Sequence, residues 1–187
     1  MRQYSARVGN LYARRIGNWN KTTQFFDELG YSVRDTINQS LRKEMHQFRK
    51  KLIYNIMTQA FRGEWAPLSS KYSANKKENK NLIYLNTEKY VNNLVVKYTN
   101  QRAYVGFRKG VSYHRPKGRR IPIDLVARWM EYGEGTTPAR PLWNPTWNQM
   151  GGTAGMEQRI ADKVYQKLKK LSSNTGVKID RSKINRR

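Results

Sequence analysis

The chain has no cysteine, which excludes structural disulfides, thiolate nucleophiles and cysteine-held zinc or iron–sulfur centres. Histidine is almost as scarce. There are two, His46 and His114, and neither has a carboxylate or second imidazole beside it at a metal-ligand or triad spacing. His114 next to Arg115 reads as a solvated loop histidine. The one adjacent acidic pair, Asp27-Glu28, sits in a poorly periodic stretch. No glycine pattern ending in Lys-Ser or Lys-Thr occurs, and Gly9 and Gly17 do not compose a dinucleotide fingerprint. These absences point away from an enzyme, a cofactor or a metal. Long apolar runs are missing too: no stretch approaches the roughly 20 apolar residues that cross a bilayer, and Met1–Arg7 lacks the apolar centre of a signal peptide. The expectation is a soluble protein made in the cytoplasm, without a leader or a membrane partner.

Acidic residues are few, 13 Asp+Glu against 37 Lys+Arg, for a formal charge of +24. Such a surplus repels itself unless a polyanion or an acidic protein surface lies nearby. Nucleic acid is the default partner, although charge alone does not distinguish a sequence reader from a part that only touches phosphate. Five Trp and twelve Tyr argue against a disordered polycation. At 187 residues the chain is long enough to bury a core without crosslinks.

Along the chain, residues 1–31 read as an N-terminal arm with one or two helical pieces, interrupted at Gly9, Gly17 and Gly30. From Ser32 to about Phe61, Ile37, Leu41, Met45, Phe48, Leu52, Ile56 and Ala60 recur at steps of three and four, one apolar stripe on a long helix. Ser32 or Asp35 suits its start and Gly63 its stop. Arg42, Lys43, Arg49 and Lys50 fall outside the stripe and give it a basic outer face. A loop over 63–80 leads into expected strands at 81–87, 90–98 and 102–108, the last two forming a hairpin about Thr99-Asn100-Gln101. Lys109, Arg115, Lys117, Arg119 and Arg120 make 109–120 a basic loop. A short helix is expected over Ile123–Tyr132 and a last one over Met156–Leu171, separated from the preceding segment by Gly151, Gly152 and Gly155. Residues 32–171 are expected to form one domain, and 172–187 a basic flexible tail.

The run Glu131-Tyr132-Gly133-Glu134-Gly135-Thr136-Thr137-Pro138-Ala139-Arg140-Pro141-Leu142-Trp143 carries the clearest local signal. Pro138 and Pro141 hold Ala139 and Arg140 extended, and Arg140 is read as presenting its planar fork to a carboxylate, with Glu131 and Glu134 the near candidates. The reading is a rigid docking corner; a proline-stiffened surface loop suits the same residues. Trp129 is assigned to the core and Trp143 to an interface. Tyr104, Phe107 and Tyr113, interleaved with cations, also suit base stacking.

Taken in order, a basic amphipathic helix, Gly63-Glu64-Trp65-Ala66-Pro67-Leu68-Ser69, Lys76, Leu82-Ile83, strands with Val105-Gly106, Glu131-Tyr132-Gly133 and Pro138-Ala139-Arg140-Pro141-Leu142 resemble the virion-morphogenesis or tail-completion proteins of tailed bacteriophages, which join head to tail. The resemblance covers about residues 35–170. Where that family has Thr-Gly after the Leu-Ile, this chain has Leu85-Asn86-Thr87-Glu88, and its 109–120 loop is unusually basic.

The resemblance implies an α+β fold, with a long amphipathic helix packed on a small antiparallel sheet plus a short helix and a C-terminal helix. It further implies a structural protein of the virion, ringed about the DNA channel at the head–tail junction. Its partners would be copies of itself, a portal-side connector, and a tail terminator or tube. Trp65, Pro67, Leu68, Glu131, Gly133, Pro138, Arg140, Pro141 and Trp143 are the expected interface. Arg42, Lys43, Arg49, Lys50, Lys109, Arg115, Lys117, Arg119 and Arg120 are the expected contacts to genomic DNA or to acidic neighbours. The competing class is a basic, non-enzymatic nucleic-acid-binding module, which would stay monomeric or dimeric and bind isolated nucleic acid tightly.

Overall fold

A computed structural model describes residues 5–8, 11–14, 19–76, 81–84, 88–99, 102–114, 120–135 and 137–175. The chain divides into two compact units, one from segments 1–39 and 159–187 and the other from Ser40–Gln158. It is α+β, as the sequence implies.

In the first unit, β1 (Ser5–Val8) and β2 (Leu11–Arg14) form an antiparallel ladder, with Val8 opposite Leu11 and Ser5 opposite Arg14. Strands therefore stand where helical pieces were expected. Helix α1 runs Trp19–Met57, so it begins well before Ser32. Gly30 lies inside it, since one glycine costs a helix only about 1 kcal/mol, which a long helix absorbs. Ser32 and Asp35 are therefore not caps. The Thr36 hydroxyl donates to the Ser32 carbonyl at 2.7 Å, and Gln39 Nε2 donates to Asp35 Oδ2 at 2.7 Å. Helix α6 (Gly152–Thr175) also starts earlier than expected, taking Gly152 and Gly155 into its first turn, with Gly151 just before it.

The second unit holds the main core. Met45, Phe48, Leu52 and Ile56 of the predicted stripe are buried, whereas Ile37 and Ala60 at its ends are exposed. Around them lie α2 (Ser70–Asn75), α3 (Lys89–Asn92), β3 (Leu94–Thr99), β4 (Arg102–Phe107), β5 (Ser112–His114), β6 (Arg120–Pro122), α4 (Ile123–Tyr132) and α5 (Trp143–Gln149). β3 and β4 make the expected hairpin, Leu94 opposite Phe107 and Thr99 opposite Arg102, but the first strand starts only at Leu94, because the expected beginning at 90 belongs to helix α3. β5 and β6 pair across the basic loop, Ser112 opposite Pro122 and His114 opposite Arg120. That second ladder is not foreseen by the sequence reading.

The helix stop is at Gln59, not Gly63. Gln59 takes a left-handed φ of 52°, the Ala60 N–H reaches the Asn55 carbonyl at 3.0 Å, and the Gln59 N–H reaches Ile56 at 3.2 Å. This is a Schellman closure, normally built on glycine. The Gln59 side chain offsets the strain: its amide donates to the Ile56 and Ile83 carbonyls at 2.6 and 2.9 Å and accepts from the Ile83 N–H at 2.9 Å. Because a side chain satisfies the Ile83 backbone, 81–84 has no need of a strand partner, and none of these four residues is in a strand. The remainder of that expected strand, 85–87, lies outside the described residues.

Part of the high aromatic content is used inside the protein, while Phe26, Tyr31, Tyr54, Tyr72, Tyr98, Tyr104 and Tyr132 are exposed. Phe61, Trp65, Tyr84, Tyr90, Phe107, Trp143, Phe48 and Trp147 form a continuous chain of tilted and edge-to-face rings, with successive centroids 4.8–6.0 Å apart. Each such pair adds about 0.5–1.5 kcal/mol to the burial of its surface.

Candidate functional site: the proline corner and the basic surfaces

The corner begins at the end of α4. Gly133 (φ 77°) stops the helix, its N–H bonded to the Trp129 carbonyl at 2.8 Å. A Cβ at Gly133 would lie 3.1 Å from the Ala139 nitrogen and 3.2 Å from the Thr137 carbonyl oxygen, so both conformation and close approach demand glycine here. The chain reverses between Glu134 and Thr137, which exchange backbone bonds of 3.0 and 2.9 Å. It then returns along α4, where the Arg140 N–H donates to the Met130 carbonyl at 2.6 Å.

Arg140 does not reach Glu131 or Glu134 as expected. It is buried, its Nε donates to the Ala66 carbonyl at 2.7 Å and its Nη2 to the Pro67 carbonyl at 2.9 Å. Burial lowers its pKa from the usual guanidinium value. The Trp65 indole N–H donates to the Pro141 carbonyl at 2.7 Å, and the Tyr84 hydroxyl donates to the Arg140 carbonyl. The Gly63–Ser69 and Pro138–Leu142 motifs are therefore bonded to each other within one subunit.

Glu131 is buried as well, and its partners are backbone amides. Its Oε2 accepts from Leu142 and Trp143 at 2.7 and 2.9 Å, and its Oε1 accepts from Asn144 at 3.0 Å. These are first-turn donors of α5, whose own cap position, Leu142, supplies no side-chain acceptor. A carboxylate from α4 thus caps α5. The cap fixes Leu142 and Trp143 in the core, where the Trp143 indole N–H donates to the Tyr90 hydroxyl at 3.0 Å. α5 is tied to α1 by Asn55 Nδ2, which donates to Thr146 Oγ1 at 2.9 Å and Gln149 Oε1 at 3.0 Å.

Comparison with protein-family models, with curated proteins and with solved structures found no match.

The side chains of Trp65, Glu131, Arg140 and Trp143, expected at an interface, are thus committed within the subunit. Leu68 packs against the same core, and Pro141 is half-buried. Pro67 and Pro138 are exposed, as are Ala139, Glu134 and Tyr132, and these five form the outward rim of the corner. Tyr132 is absent from the sequence-based set although it is 68% exposed. The signal was its place next to Glu131, since adjacent residues on a helix end point to different sides.

The basic surfaces divide similarly. Arg42 lies 5.0 Å over the Tyr98 ring, and Arg49 Nε donates to the Leu94 carbonyl at 2.6 Å. Both therefore bind α1 to β3, and Arg49 is a brace before it is a ligand contact. Lys43, Lys50, Lys109 and Arg120 are exposed. Arg115, Lys117 and Arg119 lie outside the described residues. Of the three aromatics read as stacking candidates, Phe107 belongs to the core ring chain and Tyr113 is partly buried with the Lys89 ammonium 5.4 Å over its ring. Only Tyr104 is exposed. Among the described residues no helix is long and apolar enough to cross a membrane, and no group of three or more His, Asp or Glu is placed to hold a metal.

Two tyrosines beside the corner set an alkaline limit. Burial raises the pKa of Tyr84, with the neighbouring Tyr90 and Glu131 adding to the rise and Arg140 opposing it. Burial likewise raises that of Tyr90, against the hydrogen bond from Trp143. Each folded-state pKa exceeds the unfolded value of 10.0, so their contribution is intact below pH 10 and is lost as pH rises above it. Each contributes a loss of up to about 1.4 kcal/mol per pH unit in that range. Thermal unfolding followed between pH 8 and 11.5 is expected to show a steep fall in Tm above pH 10 that is shallower in Tyr84→Phe. An equal fall in wild type and variant would contradict the assignment to Tyr84.

Proposed function

We propose that the chain is a structural, non-enzymatic protein of a tailed-phage virion that assembles as a homo-oligomeric ring at the head–tail junction, around the DNA channel. The observation that carries this reading is the bond between the two motifs behind the resemblance. Arg140 and Trp65 lock the Gly63–Ser69 loop to the Pro138–Leu142 segment, so residues far apart in sequence act as one device. That device is a stiff base for an exposed rim of Pro67, Tyr132, Glu134, Pro138 and Ala139, and stiffness lowers the entropy lost when such a surface docks.

In this reading the rim meets the next copy or a portal-side, terminator or tube neighbour. Lys43, Lys50, Lys109 and Arg120, with Arg115, Lys117 and Arg119 of the basic loop, meet genomic DNA through phosphate or meet acidic faces of those neighbours. The protein is made in the host cytoplasm and ends in the virion. Light scattering of the purified protein, alone and mixed with neck components, tests this. A discrete oligomer is expected, and Tyr132→Asp should weaken it without lowering subunit stability, because the Tyr132 side chain is exposed. A monomer under all these conditions would remove the ring.

A further inference from the structure

The outer face of the β3–β4 hairpin is used by neither the core nor the corner. Leu94, Phe107 and Val105 take the inner side. In the observed register Lys97 lies opposite Tyr104 and Val95 opposite Gly106, so strand alternation puts Arg102, Tyr104 and Gly106 on the other side. That side opens into a cleft of about 480 Å³, bounded by Arg108–Ser112 after β4 and by Pro122–Asp124 at the start of α4. Among the described residues three cations, Lys97, Arg108 and Lys109, line it against one carboxylate, Asp124. Tyr104 is 48% exposed beside Lys97. Gly106 lies on β4 between Tyr104 and Arg108, which follows the strand, and a Cβ there would meet nothing within 4 Å among the described residues, so the missing side chain leaves room in the cleft.

An exposed ring set among cations, with room above a glycine, matches what an unpaired nucleotide requires. The base has a π-face to stack and the phosphate a charge to neutralise, and every base has both. A duplex presents only its phosphates here, because its bases are already stacked and paired. We propose that this cleft binds one or two nucleotides of a single-stranded nucleic acid, with a base on the Tyr104 ring and phosphate held by Lys97 and Arg108. The site belongs to the single subunit and goes beyond the ring reading. Its test needs no assembly, so failure of either idea leaves the other standing.

The test is fluorescence anisotropy with a labelled 20-nucleotide oligothymidylate and, in parallel, a 20-base-pair duplex. The single strand is expected to bind about tenfold more tightly than the duplex. Tyr104→Ala should weaken strand binding by about tenfold or more and leave duplex binding unchanged, while Tyr104→Phe retains it. Gly106→Val should weaken it likewise by filling the opening. A β-branched residue fits an extended strand, so that variant should keep the wild-type Tm; should it fail to fold, the exposed Tyr104 decides alone. Lys97→Gln and Arg108→Gln should each reduce the log–log salt slope for the strand by about 0.7. Unchanged strand binding in folded Tyr104→Ala would overturn the proposal. So would equal affinity for the duplex, or competition by thymidine monophosphate as effective per nucleotide as the strand, which would indicate a free nucleotide. Polyglutamate binding with the same dependence on Tyr104 would overturn it in favour of an acidic protein partner.

Discussion

Glu131→Ala is expected to lower the stability of the subunit by about 3–5 kcal/mol, because hydrogen bonds to a charged acceptor contribute about 1.5–3 kcal/mol each and relief of burying the carboxylate offsets part of their sum. The change strips three first-turn amides of α5 of their acceptor, and a buried unpaired N–H costs about 1–3 kcal/mol. It also frees the helix that places Leu142 and Trp143 in the core. Against a typical total of about 5–15 kcal/mol, this brings the protein close to unfolding. Glu131→Gln should recover only part of the loss, because one end of its amide is a donor facing donors. Urea denaturation gives the value. A loss below about 1 kcal/mol for Glu131→Ala would mean that α5 is capped by something else.

Arg140→Ala is expected to cost about 2–4 kcal/mol of folding stability, from two bonds by a charged donor worth about 1.5–3 kcal/mol each, partly offset by relief of burying the charge. Arg140→Lys should recover less than half, since one ammonium does not reproduce the fork that reaches both the Ala66 and Pro67 carbonyls. This assigns Arg140 to bracing its own subunit, where the sequence suggested an interface residue. Any fall in assembly should follow the fraction unfolded. An Arg140→Ala protein as stable as wild type but unable to assemble would restore the interfacial role.

The elements that the sequence made legible are those whose burial follows a single period. The stripe Met45-Phe48-Leu52-Ile56, the β3–β4 hairpin and α4 over Ile123–Tyr132 all stand close to where their spacing puts them. Where a side chain substitutes for backbone pairing, the pattern misleads. Gln59 ends α1 in a conformation that propensity assigns to glycine, and it satisfies Ile83 so that an apolar, β-branched stretch need not be a strand. Buried polar residues on the helix are equally silent: Glu44 and Asn55 lie inside alongside the apolar stripe.

The corner was visible as a rigid device because prolines and glycine act locally. Its direction was not, because the Ala66 carbonyl that orients Arg140 lies 74 residues away in sequence. The same reason hides the cleft. Lys97 and Tyr104 become neighbours only through the hairpin register, and the meaning of Gly106 depends on the space above it.

The ring at the head–tail junction is the central claim, and negative-stain imaging of virions carrying a tagged copy of this chain tests it most directly. Gold-labelled tag confined to the neck, together with closed rings of the purified protein on the same grids, is the expected result. Label spread over the capsid or absent from virions, with only monomers in the purified sample, would contradict it.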